Sequence, residues 1–127
     1  MKKTFKKSER LSSKKIIESL FDKGSEQTKS VFLYPFRVSF LEKNTDTPST
    51  ELPQILISVS KRYFKHAVDR NLIKRRTREA YRLNKQLLLQ KNTQPLPAYI
   101  AFVYIAKKIE DYAKIEKAMK GILYKMN

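Results

Sequence analysis

Residues 61–91, KRYFKHAVDRNLIKRRTREAYRLNKQLLLQK, carry eleven Lys or Arg and two acids, a net of +9. Arg70, Lys74, Arg78 and Arg82 recur every fourth residue, so a helix stacks them into one ridge. Like charges at that spacing repel and cost intrinsic helix stability. A helix of this kind must keep one flank in solvent and turn an apolar flank onto the rest of the fold. Its cations call for a polyanion, and for a chain of pI near 10.1 nucleic acid is the polyanion that fits.

A wheel at about 100° per residue makes this concrete. Arg70, Asn71, Lys74, Arg75, Arg78, Tyr81, Arg82 and Lys85 fall within about 140°. Leu72, Ile73, Ala80, Leu83 and Leu87 fall on the other side, with Arg76 among them: either its stem packs there and its head snorkels outward, or the helix axis drifts. Arginine offers a planar donor fork that matches phosphate oxygens, and Asn71 can bond a phosphate, a ribose hydroxyl or a base edge. Five neutralised phosphates would give a log–log salt slope of about −3.5 to −4.5. Asp69 complements the dipole at the helix start, and Glu79 is placed to pair with Arg75 or Arg82.

The remainder of the chain supplies a core. It has 127 residues, 41% hydrophobic, with seven Tyr and seven Phe, which suits one folded domain over 1–127 with residues 1–11 as a flexible basic tail. There is no Cys, which excludes disulfide scaffolds and thiolate metal sites, and one His, His66, from which neither a histidine metal cluster nor a histidine-paired nucleophile is easily built. No apolar run approaches a membrane span, no signal-type segment follows the basic start, and a cytoplasmic protein is expected. No carboxylate pair has metal-ligand spacing, so the chain is read with no catalytic residue and no metal site of its own.

Apolar spacing places a helix at 13–23, capped by Ser12 or Ser13 and closed by Gly24. Residues 31–41 read as a strand with Phe32, Tyr34, Phe36, Val38 and Phe40 on one face, open to a break at Pro35. Residues 42–53 read as a hairpin connection to a strand at 54–60, and the basic helix spans about 67–90. The apolar stretch 98–106 suits the middle of a sheet, and 111–126 an amphipathic helix with Gly121 inside it at a cost of about 1 kcal/mol. The order α-β-β-(β)-α-β-α predicts an α+β fold, an α/β sandwich around a small mixed central sheet.

The string SVSKRYFKHAVDRNLIKRRTREAYR, residues 58–82, resembles the signature of the protein subunit of bacterial ribonuclease P. The matching positions are Ala67, Val68, Arg70, Asn71, Ile73, Lys74, Arg75, Arg78 and Glu79 of its Ala-Val-x-Arg-Asn-x-Ile-Lys-Arg-x-x-Arg-Glu pattern. RLSSKKIIESLFDKG (10–24), the strand YIAFVYIA and the last helix fall in the same order as in that family. One departure is the turn Tyr63-Phe64-Lys65-His66, which lacks the Gly many members have.

The resemblance implies a ribosomal protein S5 domain 2-like fold with a left-handed βαβ crossover. It implies an RNA-binding subunit that assists a catalytic RNA in removing the 5′ leader of precursor tRNA, with Mg2+ bound mainly by the RNA. Lys61, Arg62, Arg70, Asn71, Lys74, Arg75, Arg78 and Arg82 would contact the catalytic RNA. Ile17, Phe21, Tyr34, Phe36 and Ser58 would line a cleft for the precursor tRNA leader. The protein would be a monomer, one per RNA, away from membranes. A basic ribosomal protein of similar fold is the alternative, followed by a self-sufficient nuclease and a helix-in-groove DNA binder.

Overall fold

The computed structural model describes residues 28–42, 53–88 and 97–125, together with 11, 14, 17 and 18. Four strands form one mixed sheet: β1 (Thr28–Leu33), β2 (Phe36–Glu42), β3 (Gln54–Val59) and β4 (Pro97–Tyr104). Their order is β1-β2-β4-β3. β1 and β2 are antiparallel, β2 and β4 are antiparallel, and β3 and β4 are parallel. Helix α1 (Ala67–Asn84) crosses from β3 to β4 and ends in a 3-10 turn at Lys85–Leu88. Helix α2 (Tyr112–Lys125) follows β4.

The expected α+β architecture is present, with β4 in the sheet interior as its apolar sequence requires. Two local expectations are corrected. Residues 31–41 are two strands of a hairpin that turns at Tyr34–Pro35, a cis peptide. Proline has no N–H to give to a ladder, and here it stands between the strands, where none is asked of it. The reversal puts Phe32 opposite Arg37 and moves it off the face that Phe36, Val38 and Phe40 share. Residues 42–53 do not close a hairpin either, because β4 lies between β2 and β3.

Strand alternation then sorts the sheet into two faces. Cross-strand rows Leu33–Phe36–Tyr104–Val59 and Val31–Val38–Phe102–Ile57 point into the main core. Both helices cover that side, through Ile73, Ala80 and Tyr81 of α1 and Ile115, Ala118, Met119, Ile122 and Leu123 of α2. Gly121 admits the close approach of α2 to β1: a Cβ there would sit 2.6 Å from Leu33 Cδ2. The opposite face carries a smaller cluster of Leu11 and Ala101, with Ile17, Leu41, Leu56 and Tyr99 packed against it. Leu11, placed by sequence in the tail, is buried and donates its N–H to the Ile55 carbonyl at 2.8 Å.

Lys14, Ile17 and Glu18 are helical, in keeping with the helix expected at 13–23. The rest of that helix, its caps, the tail 1–10, the loop 43–52, the breaker at 91–96 and Met126 lie outside the described residues.

Candidate nucleic-acid interface

Helix α1 begins without a side-chain cap. Its first turn is closed instead by the His66 carbonyl, which accepts from the N–H groups of Asp69 and Arg70 at 3.1 and 3.3 Å. The turn before it, where the Gly is missing, is held from two sides. Phe64 is buried against Tyr104, with ring centroids 5.9 Å apart. Arg70 Nη1 donates to the Phe64 and Lys65 carbonyls at 2.8 and 2.9 Å. A guanidinium and an aromatic anchor thus fix a path that glycine's freedom is not needed for.

The helix is rolled by nearly a fifth of a turn from the sequence wheel, because the buried stripe is Ile73, Thr77, Ala80, Tyr81 and Asn84. Thr77 and Asn84 enter the core side with their polar atoms satisfied. Thr77 donates to the Ile73 carbonyl at 2.8 Å, and Asn84 Nδ2 to the Ala80 carbonyl at 2.8 Å and to Glu116 at 3.2 Å. Tyr81 and Lys85, placed by the wheel among the outward cations, are both buried. Arg76 reaches the Glu110 carbonyl at 2.7 Å from its half-buried position, which ties α1 to the approach of α2.

The outward face is narrower than the charge count suggests. Asn71 and Arg75 are exposed, and Lys74 and Arg78 are half-exposed. With Val68 and Leu72 they line an open depression of about 490 Å³. Val68 is 77% exposed, a large apolar side chain on an otherwise cationic face, which the sequence marks only as a motif position. Among the described residues, no carboxylate pairs with Lys74, Arg75 or Arg78.

The ends of the ridge differ from its centre. Arg70 is partly committed to the turn carbonyls. Arg82 donates from Nε to Glu79 at 3.0 Å in an i,i+3 pair. That hydrogen bond holds the Glu79 carboxyl below its ordinary range, against a smaller opposing effect of burial, and raises Arg82. Lys61 and Arg62 are exposed in the turn after β3, where Arg62 N–H donates to Ser60 Oγ at 3.1 Å.

The residues expected to line a cleft separate. Phe36 is corrected: it is 0% exposed, on the helix-covered face, edge-on to Phe102 and Tyr104 at 6.2 and 5.7 Å. Tyr34 is exposed in the hairpin turn, and its hydroxyl donates to Glu110 at 3.1 Å near the foot of α2. Phe21 lies outside the described residues. Ile17 and Ser58 do belong to the face opposite α1 and α2. On that face the row Phe32–Arg37–Val103–Ser58 runs across all four strands, with Phe32 63% exposed and Arg37 exposed. The sequence pattern hides the Phe32–Arg37 pair, because the hairpin that joins them reads as one strand.

Among the described residues, Glu110 is the most heavily engaged acid. It is buried, yet Lys114 at 3.1 Å, the Tyr34 hydroxyl and Lys108 at 3.5 Å all meet its carboxylate, and these hold it below the ordinary carboxylate range against burial. Its N–H donates to the Tyr104 hydroxyl at 2.9 Å, and burial pushes that phenol up. Among the described residues no three of His, Cys, Asp and Glu gather as a metal site, and no helix is long and apolar enough to cross a membrane.

A family model described as Ribonuclease P matches residues 5–127. The chain is 37% identical over 123 residues to a protein of Porphyromonas gingivalis named "Ribonuclease P protein component", covering 94% of this chain and 84% of that one. A protein of the same name from Petrotoga mobilis is 33% identical over 121 residues, 95% of this chain and 83% of that one. Another, from Haemophilus influenzae, is 39% identical over 83 residues, 64% of this chain and 62% of that one.

Proposed function

This chain belongs to the ribonuclease P protein family, and from that membership we propose that it works as an RNA-binding partner of a catalytic RNA in 5′ maturation of precursor tRNA. The observation that carries the proposal is the outward face of α1, where Asn71, Lys74, Arg75 and Arg78 stand without acidic partners among the described residues. Cations left in solvent on one rigid face are available to release counterions from a phosphate backbone, and that is the dominant source of affinity for nucleic acid. Asn71 and the exposed Val68 add a hydrogen-bonding and an apolar contact beside the phosphates. Arg70 serves the interface indirectly, by holding the turn that leads Lys61 and Arg62 toward it.

The leader of the precursor would lie along the exposed Phe32–Arg37 row, on the sheet face opposite α1 and α2. Phe32 supplies an aromatic platform and Arg37 a charge beside it, the sequence-tolerant pairing that suits a single strand. Ile17 and Ser58 would flank that path, and Phe21 is the further leader contact that the family resemblance implies. Binding the leader favours precursor over mature tRNA. Charge from α1 would lower the Mg2+ needed for the RNA to fold and cleave. The Mg2+ ions would be bound mainly by the RNA, as in the family this chain resembles, while Glu79 and Glu110 are engaged by Arg82 and Lys114.

The test is reconstitution of the full chain with its catalytic RNA and a precursor tRNA, with 5′ cleavage measured as Mg2+ is lowered. Stimulation at low Mg2+ is expected, and its absence removes the proposal. Phe32→Ala should weaken binding of leader-bearing tRNA more than of mature tRNA; equal losses would take the leader off this face.

A further inference from the structure

The turn after β3 and the segment after β4 hold a second cationic site. β3 and β4 are parallel neighbours, with Val59 opposite Tyr104, so the segments leaving the two strands emerge at the same edge of the sheet. There the Tyr63 ring, 43% exposed, has the Arg62 guanidinium carbon 6.0 Å from its centroid and Lys107 Nζ at 5.5 Å. Two cations from distant parts of the chain thus share one aromatic ring. Repulsion would drive them apart in solvent, and the negative face of the ring offsets it. Neither is paired with a carboxylate among the described residues, whereas the adjacent Lys108 is drawn to Glu110. The turn is not loose, because Phe64 is buried beneath it and Arg70 grips its carbonyls.

We propose that Tyr63 organises Arg62 and Lys107 into a phosphate-binding site that extends the α1 interface on the catalytic RNA. It rests on the reading that α1 docks on that RNA. Continuity favours the catalytic RNA over the leader: Arg70 joins this turn directly to the ridge, while the Phe32–Arg37 row lies on the sheet face away from the helices. In this role Tyr63 is a positioning residue and Lys107 a contact that no motif marks.

The experiment measures binding of the full chain to its catalytic RNA across a salt series, with a single-stranded leader oligonucleotide as a parallel arm. Lys107→Ala should make the log–log slope shallower by about 0.7–0.9, the share of one phosphate. Tyr63→Leu should weaken binding about two- to fivefold, and Tyr63→Phe, which keeps the ring, should match the parent. Three results would overturn the site: an unchanged slope for Lys107→Ala, equal losses for the Phe and Leu variants, or an effect confined to the leader oligonucleotide. Lys74→Ala separates this idea from its premise. If Lys74→Ala weakens binding while Lys107→Ala does not, only the second site falls; if neither does, the docking of α1 falls with it.

Discussion

Helices α1 and α2 pack on the same face of the sheet and both are rich in cations, yet two of the α2 lysines are answered by acids and the centre of the α1 ridge is not. On α2, Lys114 lies 3.1 Å from Glu110 and Lys120 lies 3.9 Å from Glu116. On α1, the centre of the ridge has no such partners among the described residues, and Glu79 engages only its far end. The contrast teaches that the number of cations does not make a nucleic-acid surface. A cation spaced four residues from an acid is already answered; a row of cations on one face is not.

The sharpest way to break the contrast is to neutralise each helix in turn. Replacing Lys74, Arg75 and Arg78 together by Ala should lower affinity for the catalytic RNA by on the order of 100-fold at moderate salt and flatten the slope by about two to three units. Replacing Lys114 and Lys120, the α2 cations that have acidic partners, should leave the slope nearly as it was. Equal losses from both sets, read from binding across a salt series, would mean that bulk charge alone drives association.

The next effect concerns the acid that α2 uses. Glu110 is held below its unfolded value, so it contributes stability above about pH 4.3 that is lost as pH falls through its folded pKa. Glu110→Gln should lower Tm at pH 7 and flatten the fall of Tm between neutral and acid pH. Melting curves from pH 7 to 3 decide this, and an unchanged acid limb would assign that fall to other carboxylates. Glu79→Gln probes the acid that, among the described residues, pairs with the far end of the ridge. Removing its negative charge beside Arg82 should strengthen RNA binding by no more than about threefold and steepen the slope by at most about 0.9. A weaker complex would show instead that Glu79 aims Arg82 at its target.

Gly121→Ala should have the smallest effect. The helix gains about 1 kcal/mol from the better helix former, and the new methyl group meets the end of the Leu33 side chain, which can turn aside. A net change in unfolding free energy within about 1 kcal/mol is expected from denaturant titration. A larger loss would show that the approach of α2 to β1 tolerates no widening.

Local rules read α2 well, since Ile115, Ala118, Met119 and Ile122 stand at helical spacing and are all buried. They read the motif helix well in extent and less well in rotation. Thr77 and Asn84 are polar, so a wheel drawn on hydrophobicity turns the helix away from them; the structure admits both because each finds a backbone carbonyl. Tyr81 reads as surface on its hydroxyl, whereas its ring packs beside Phe102 at 5.9 Å. The cleft is the least legible part. Phe32 and Phe36 have matching parity along the chain, and only the reversal at Tyr34–Pro35 sends one outward and the other into the core.

By itself, then, the order of residues determined the two long helices, the strands on either side of the basic helix, the mixed α+β class and the helix that bears the unanswered charge, because these follow from short-range periodicity and from the signs of neighbouring side chains. Tertiary structure decided which flank of that helix is buried, which aromatic faces solvent, and that Lys107 meets Tyr63 across forty-four positions of chain. Those outcomes depend on strand order and on contacts between distant segments, and no local pattern encodes either one.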